Sequence, residues 1–347
     1  MTSTQAYRRD NDPTGDGKTR MANAQSARRE LLGLTLRRYR EAAGLTGREA
    51  AAIIDCDTSK ISRIESGTRG IKAFELAELL TGYGVSGPVR EVLTLLGRPD
   101  RGCSWRTDFS YLLPASWLDL AAAESAATGI CAYAPVQVPA LLQTEAYARA
   151  AIEADGCVLE TARDAALTLV LTRQEQVLGE RMTPFTVVIG EAALQQWARF
   201  PQIMRGQAGY LAAVAEDCPH VTIRLLPLAA GPHASGGAGG FTLLEYGPIP
   251  DIGVVHVDTP AGGVTLVDSA LIPAYRKVLA DLQVEALDAQ DTIRFLRDPA
   301  GPPAGGSNTR APGTATALTP GVFCLYPGRA ARMALSVSTR EVRRAQS

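Results

Sequence analysis

The apolar residues of this chain change period partway along. Between residues 32 and 96 they recur at helical spacing. Leu32, Leu36, Tyr39 and Ala43 follow at steps of four, three and four, which predicts an amphipathic helix ended by Gly44. Ala50, Ala51 and Ile54 give a second helix its apolar face, and the small Ala51 leaves room for a neighbouring helix. Ile61 and Ile64 give a third its inward side. Phe74, Ala77 and Leu80 predict a fourth; Val89, Val92, Leu93 and Leu96 predict a fifth. The boundaries carry their own chemistry. Thr46 and Glu49 stand in T-x-x-E spacing, so the hydroxyl and the carboxylate satisfy each other's backbone N–H groups at a helix start. Asp55 occupies a turn position that needs a left-handed backbone, Cys56 plugs the turn as a small apolar residue, and Asp57 caps the third helix.

Beyond residue 100 the pattern differs. Residues 133–152, with Pro135 and Pro139 at the start, predict a loop leading into a helix, and 160–181 a long amphipathic helix. Short β-branched runs at 185–189, 221–226, 241–246, 254–257 and 264–267 predict strands. Helices are expected at 191–198, 202–216, 269–282 and 288–297. Successive strands joined by Gly- or Pro-containing turns favour a mainly antiparallel sheet. The expected fold class is therefore an all-α five-helix domain followed by an α+β domain.

The length of 347 residues suits about two domains. We place the helical one at 28–98 and the α+β one at 99–298, between a disordered polar arm at 1–27 and a low-complexity tail at 299–347 that opens with Pro299, Gly301, Pro302 and Pro303. The apolar segment Phe323–Tyr326 is too short for a core, and Arg340, Arg343 and Arg344 make the end basic. Met21 is an alternative start to Met1. Six cysteines, none in C-x-x-C spacing, and a polar first stretch without an apolar signal region suggest a reduced, cytoplasmic protein. No run reaches the roughly 18 apolar residues of a membrane span.

Net charge is −1, but the charge is uneven. From Arg28 to Lys72 ten Lys and Arg stand against six acids, a local excess of four positive charges. That footprint suits nucleic acid, although it is modest. On the third helix Thr58, Ser59, Lys60, Ser62 and Arg63 fall off the Ile61–Ile64 side. An arginine meets guanine O6 and N7 with two hydrogen bonds, and hydroxyls serve several base edges. Thr58, Ser59 and Arg63 are the expected base readers; Arg48, Lys60, Ser62 and Arg69 are expected on phosphates. Thr46, Glu49, Ala51, Asp57, Ile61, Ile64 and Glu65 are structural, Glu65 tying the third helix to the following loop.

These residues carry a resemblance. The segment from Leu34 to Val85 resembles the Cro/repressor (xenobiotic-response-element) helix-turn-helix family, and Ile61-Ser62-Arg63-Ile64-Glu65-Ser66-Gly67 is similar to its I-S-R-x-E-x-G signature. That family usually sets a phosphate-binding Gln near the start of the second helix. Gly47 stands there instead, with Arg48 as its replacement. Further on, Val138-Pro139-Ala140-Leu141-Leu142-Gln143-Thr144-Glu145-Ala146-Tyr147-Ala148-Arg149 resembles the V-P-G-L-L-Q-T-x-x-Y-A-R motif of WhiJ-type actinobacterial regulators, whose C-terminal domain has no assigned function. Arg173-Gln174, Glu191, the Met204–Leu211 run and Gly240–Glu245 match in order. The resemblance implies a transcription regulator, often encoded beside a small partner protein.

The α+β region holds polar residues on elements that should pack. They form either a buried network or a ligand- or partner-binding surface composed of Gln143, Arg173, Gln174, Glu191, Glu245 and His256. The region also holds all three histidines, His220, His233 and His256, but no H-E-x-x-H or G-x-S-x-G. We expect no catalytic residue, metal or cofactor. Gly236–Gly240 precedes a strand rather than a helix, so a hairpin loop is favoured over a phosphate cradle. Partners expected are double-stranded DNA, a second copy of the chain in a homodimer, and a small-molecule effector or small partner protein. The alternatives are an antitoxin-like protein that represses its own operon and an enzyme tethered to DNA.

Overall fold

The computed structural model describes residues 26–98, 109–196, 199–236, 239–247, 252–259, 263–267 and 271–298. The arm at 1–25 and the tail at 299–347, with Phe323–Tyr326 and the basic end, lie outside the described residues. Among the described residues five helices come first: α1 (Ser26–Ala42), α2 (Gly47–Ile53), α3 (Thr58–Glu65), α4 (Ala73–Gly82) and α5 (Gly87–Gly97). Thus α1 begins inside the stretch expected to be an arm. Leu32, Leu36, Ala50, Ile61, Ile64, Leu76, Leu80, Leu93 and Leu96 form their core. Phe74, expected to face inward, is 59 % exposed; Leu76 and Leu79 take the inward side of α4.

The rest is α+β. Helix α6 (Ala115–Ala126) leads into β1 (Gly129–Ala134), then α7 (Glu145–Ala154), α8 (Arg163–Gln174) and β2 (Phe185–Gly190). Next come α9 (Glu191–Gln195), α10 (Pro201–Asp217), β3 (Val221–Leu226), β4 (Phe241–Glu245), β5 (Gly253–Val257) and β6 (Val264–Leu266). Helices α11 (Ile272–Glu285) and α12 (Ala289–Arg297) close the domain. The six described strands form one sheet in the order β3-β2-β1-β4-β5-β6. The β1–β4, β4–β5 and β5–β6 pairs are antiparallel, as the mainly antiparallel expectation requires. The β1–β2 and β2–β3 pairs are parallel, because helical crossovers return the chain to the same end of the sheet.

Side chains alternate between two cores. Ile130, Val187, Ile223, Leu244 and Val254 face α10 and the helical domain. Tyr133, Val188, Leu243 and Val255 face Ile272, Leu279 and Leu282 of α11. The first of these cores is continuous with that of α1–α5. At the seam, Gly247 follows β4 with φ of 79°, and a Cβ there would overlap Val92 of α5. Neither α6 nor β1 was anticipated, and the long helix expected at 160–181 is α8 followed by a π-helical turn at Glu175–Glu180.

Candidate nucleic-acid interface

The turn between α2 and α3 is fixed by short-range chemistry. Thr46 Oγ1 accepts the Glu49 N–H at 3.2 Å, and Glu49 Oε2 accepts the Thr46 N–H at 2.8 Å. The Thr46 N–H first, and then the Thr46 hydroxyl, which donates to the same oxygen at 2.7 Å, hold the Glu49 carboxyl below its ordinary range. Asp55 has φ of 46°, the left-handed conformation the turn requires. Asp57 caps α3 by accepting the Lys60 N–H at 2.9 Å. Its carboxyl is also held low, by the Ser59 hydroxyl first and that N–H second.

Three further contacts orient α3. Ile61 and Ile64 are buried in the helical core. Gly33 in the middle of α1 lets α3 come close, since a Cβ there would lie 2.5 Å from the Ile64 carbonyl. Glu65 meets Arg40 of α1 through both carboxylate oxygens, at 2.6 and 2.9 Å. Glu65 therefore ties α3 back to α1 rather than forward to the next loop, and Gly67, with φ of 71°, ends the helix against Glu30.

What α3 leaves outside is polar. Thr58, Ser59, Ser62, Arg63 and Ser66 are exposed, as are Arg48 on α2 and Arg69 after α3. Ser66 and Thr68 both hydrogen-bond the Arg63 carbonyl and lie 3.0 Å from each other, which shapes the loop that carries Arg69. A groove of about 530 Å³ runs between α1 and α3, lined by Leu34, Arg37, Thr58 and Ser62 among others. Lys60 departs from its expected place. Its ammonium lies 2.7 Å from Glu75 Oε1, with side-chain exposures of 15 % and 7 %, so it braces α3 against α4 instead of facing phosphate. Burial works to raise the Glu75 carboxyl, but Lys60 and the Lys72 N–H outweigh it and hold it low.

The polar residues of the α+β domain bond within the fold in separate groups. Gln143 Nε2 donates to the Val138 carbonyl at 2.7 Å. Gln174 Nε2 donates to the carbonyls of Ala140 and Gln143. Gln207, fully buried, donates to the Leu142 carbonyl at 2.6 Å and accepts the Thr144 N–H at 2.8 Å. Three amides thus pin the Val138–Thr144 segment, which cannot form a ladder of its own. Arg173 meets both oxygens of buried Glu124 at 2.7 Å. His256, 2 % exposed, reaches Thr265 Oγ1 at 3.0 Å and Asp258 at 3.4 Å. Glu191 accepts the Leu228 N–H, and Glu245 meets Arg276. The six residues weighed as a binding surface are therefore engaged within the fold, and Gln143, Gln174 and His256 are buried.

The histidines stand apart: His220 before β3, His233 in the loop before β4, His256 on β5. His233 lies between Tyr133 OH, at 3.3 Å, and Ser235 Oγ, at 2.8 Å. Among the described residues no group of three or more His, Cys, Asp or Glu is placed to hold a metal ion. Nor is any described helix long and apolar enough to cross a membrane.

Two family profiles match the chain. One, described as a helix-turn-helix domain, covers residues 31–93 and so takes in the turn and α3. The other, a domain of unknown function (DUF5753), covers residues 117–298, from α6 to the end of α12. No curated protein and no solved structure matches.

Proposed function

The chain belongs to the family defined by this domain of unknown function (DUF5753), with a helix-turn-helix domain ahead of it, and we propose that it is a sequence-specific transcription regulator of the Cro/repressor type. The observation that carries the reading is the division of labour on α3. Every residue facing inward is apolar or ion-paired, while Thr58, Ser62, Arg63 and Ser66 stand exposed between the cations of Arg48 and Arg69. A helix held from behind and polar in front suits the major groove. In this reading Thr58 and Arg63 meet base edges, and Arg48, Ser62 and Arg69 meet phosphates. The modest positive excess favours a homodimer on a pseudo-palindrome with half-sites about one helical turn apart.

The α+β domain receives the signal in this scheme, from a small molecule or a small partner protein in the cytoplasm. The shared core and the Gly247–Val92 contact supply the path to α5. The test is selection of the full-length chain against a randomised duplex library. Enrichment of a two-fold symmetric site is the expected result; no enrichment over a non-binding control would overturn the reading.

A further inference from the structure

Arg63 does not project freely from α3. Its Nε–H donates to the Ser59 carbonyl at 3.2 Å, and one Nη2–H donates to Ser59 Oγ at 3.0 Å. The Ser59 hydroxyl directs its own proton to Asp57 Oδ1, the oxygen that also caps α3. The roles are consistent, because a hydroxyl has one proton to give and lone pairs to receive with. Asp57, Ser59 and Arg63 therefore form a relay along the exposed side of α3, anchored at the helix cap.

The relay has a consequence for what Arg63 can read. The Nε–Nη2 edge of its guanidinium is taken. The Nη1 protons and the second Nη2 proton remain, and together they form the end of the fork. An end-on fork needs two adjacent acceptors in one plane. In the major groove guanine offers that pair, O6 and N7, whereas adenine sets its N6 donor beside N7. An arginine also has much rotamer freedom to lose on binding, and the relay removes part of it beforehand.

We infer that each half-site contains a guanine read end-on by Arg63, and that Ser59 and Asp57 are positioning residues for this contact rather than base readers. The inference rests on the proposed DNA binding. It departs from the sequence expectation, which made Ser59 a base reader.

The test uses the full-length chain and the duplex enriched in the selection above, with each half-site guanine replaced in turn by 7-deazaguanine, which lacks the N7 acceptor. For wild type, one replacement per half-site should lower affinity about tenfold, in line with the loss of one arm of a two-point contact. Ser59→Ala should shrink that penalty to roughly two- or threefold, because the fork is no longer aimed. Ser59→Thr, which keeps the hydroxyl, should restore it. The salt dependence of binding should not change, since no phosphate contact is lost. Alanine suits an exposed helical position, so the variant's thermal midpoint should stay near that of wild type. If the analogue penalty is as large in Ser59→Ala as in wild type, or Ser59→Thr does not restore it, the positioning role is overturned while DNA binding stands. If the selection enriches no site, the DNA reading is overturned and this inference with it.

Discussion

Arg40 and Glu65 clamp α1 to α3 by a two-point ion pair in which each side chain is only 11 % exposed. The pair sits at the C-terminal end of α3, opposite the Asp57 cap, so both ends of the exposed helix are held. Removing either partner leaves the other charge largely desolvated. Arg40→Ala and Glu65→Ala should each cost about 1.5–3 kcal/mol of stability. The double variant should cost less than the sum of the two. Denaturant titration of the four proteins checks this; additive losses would mean that the two groups act independently.

Lys60 and Arg69 should separate in their effects. Lys60→Ala strands the buried carboxylate of Glu75, so it should lower stability by about 1–3 kcal/mol and leave the salt slope of DNA affinity unchanged. Arg69→Ala and Arg48→Ala should do the opposite, each reducing the slope by about one while the melting midpoint holds. Affinities measured across a salt series, alongside thermal melts, distinguish the two classes.

Gln207 should matter for the α+β domain and not for the DNA contact. Gln207→Leu leaves the Leu142 carbonyl and the Thr144 N–H without their partner, at about 1–3 kcal/mol for each group. Hydrogen exchange should quicken in the Val138–Thr144 segment, and DNA affinity of the folded protein should stay within error of wild type. Unchanged exchange there would remove the pinning role.

What the sequence revealed follows the range of each interaction. The Thr46–Glu49 box, the left-handed Asp55 and the Asp57 cap are local, and the residue types announce them. Ile61 and Ile64 follow from helical period. The partners of Glu65 and Lys60 lie 25 and 15 residues away, and no pattern marks them. Gly33 stands in a helical pattern where glycine is a cost, but the approach of the Ile64 carbonyl that requires it is a property of the fold. Strand β1 is not legible in the sequence because both of its faces are covered, Ile130 and Ala132 on one side and Cys131 and Tyr133 on the other, so Gly-Ile-Cys-Ala-Tyr-Ala lacks the alternation of a half-exposed strand and is built largely from small residues. Gln143 and Gln174 stand out as polar positions on packing elements and Gln207 does not, and whether any of them turns inward depends on backbone carbonyls that only the fold brings near.

Acid should weaken the helical domain through carboxylates held below their ordinary range, among them Glu49, Asp57 and Glu75. A carboxyl that is more acidic when folded adds stability at every pH above its unfolded value of about 4, and loses that contribution as pH falls through the folded value. The melting midpoint should therefore be flat from neutral pH to about pH 5 and decline below about pH 4. Asp57→Asn keeps a capping side chain without the charge and should make the decline shallower.

The central claim is that α3 reads duplex DNA, and the most direct measurement compares specific with non-specific affinity at one fixed salt concentration. The full-length chain and its Arg63→Ala variant are titrated with the selected duplex and with a scrambled duplex of equal length. For wild type the account predicts a preference of about a thousandfold or more, and for Arg63→Ala a preference smaller by about tenfold with scrambled-duplex affinity little altered. A wild-type protein that binds both duplexes equally, or an Arg63→Ala variant with the full preference, would contradict it.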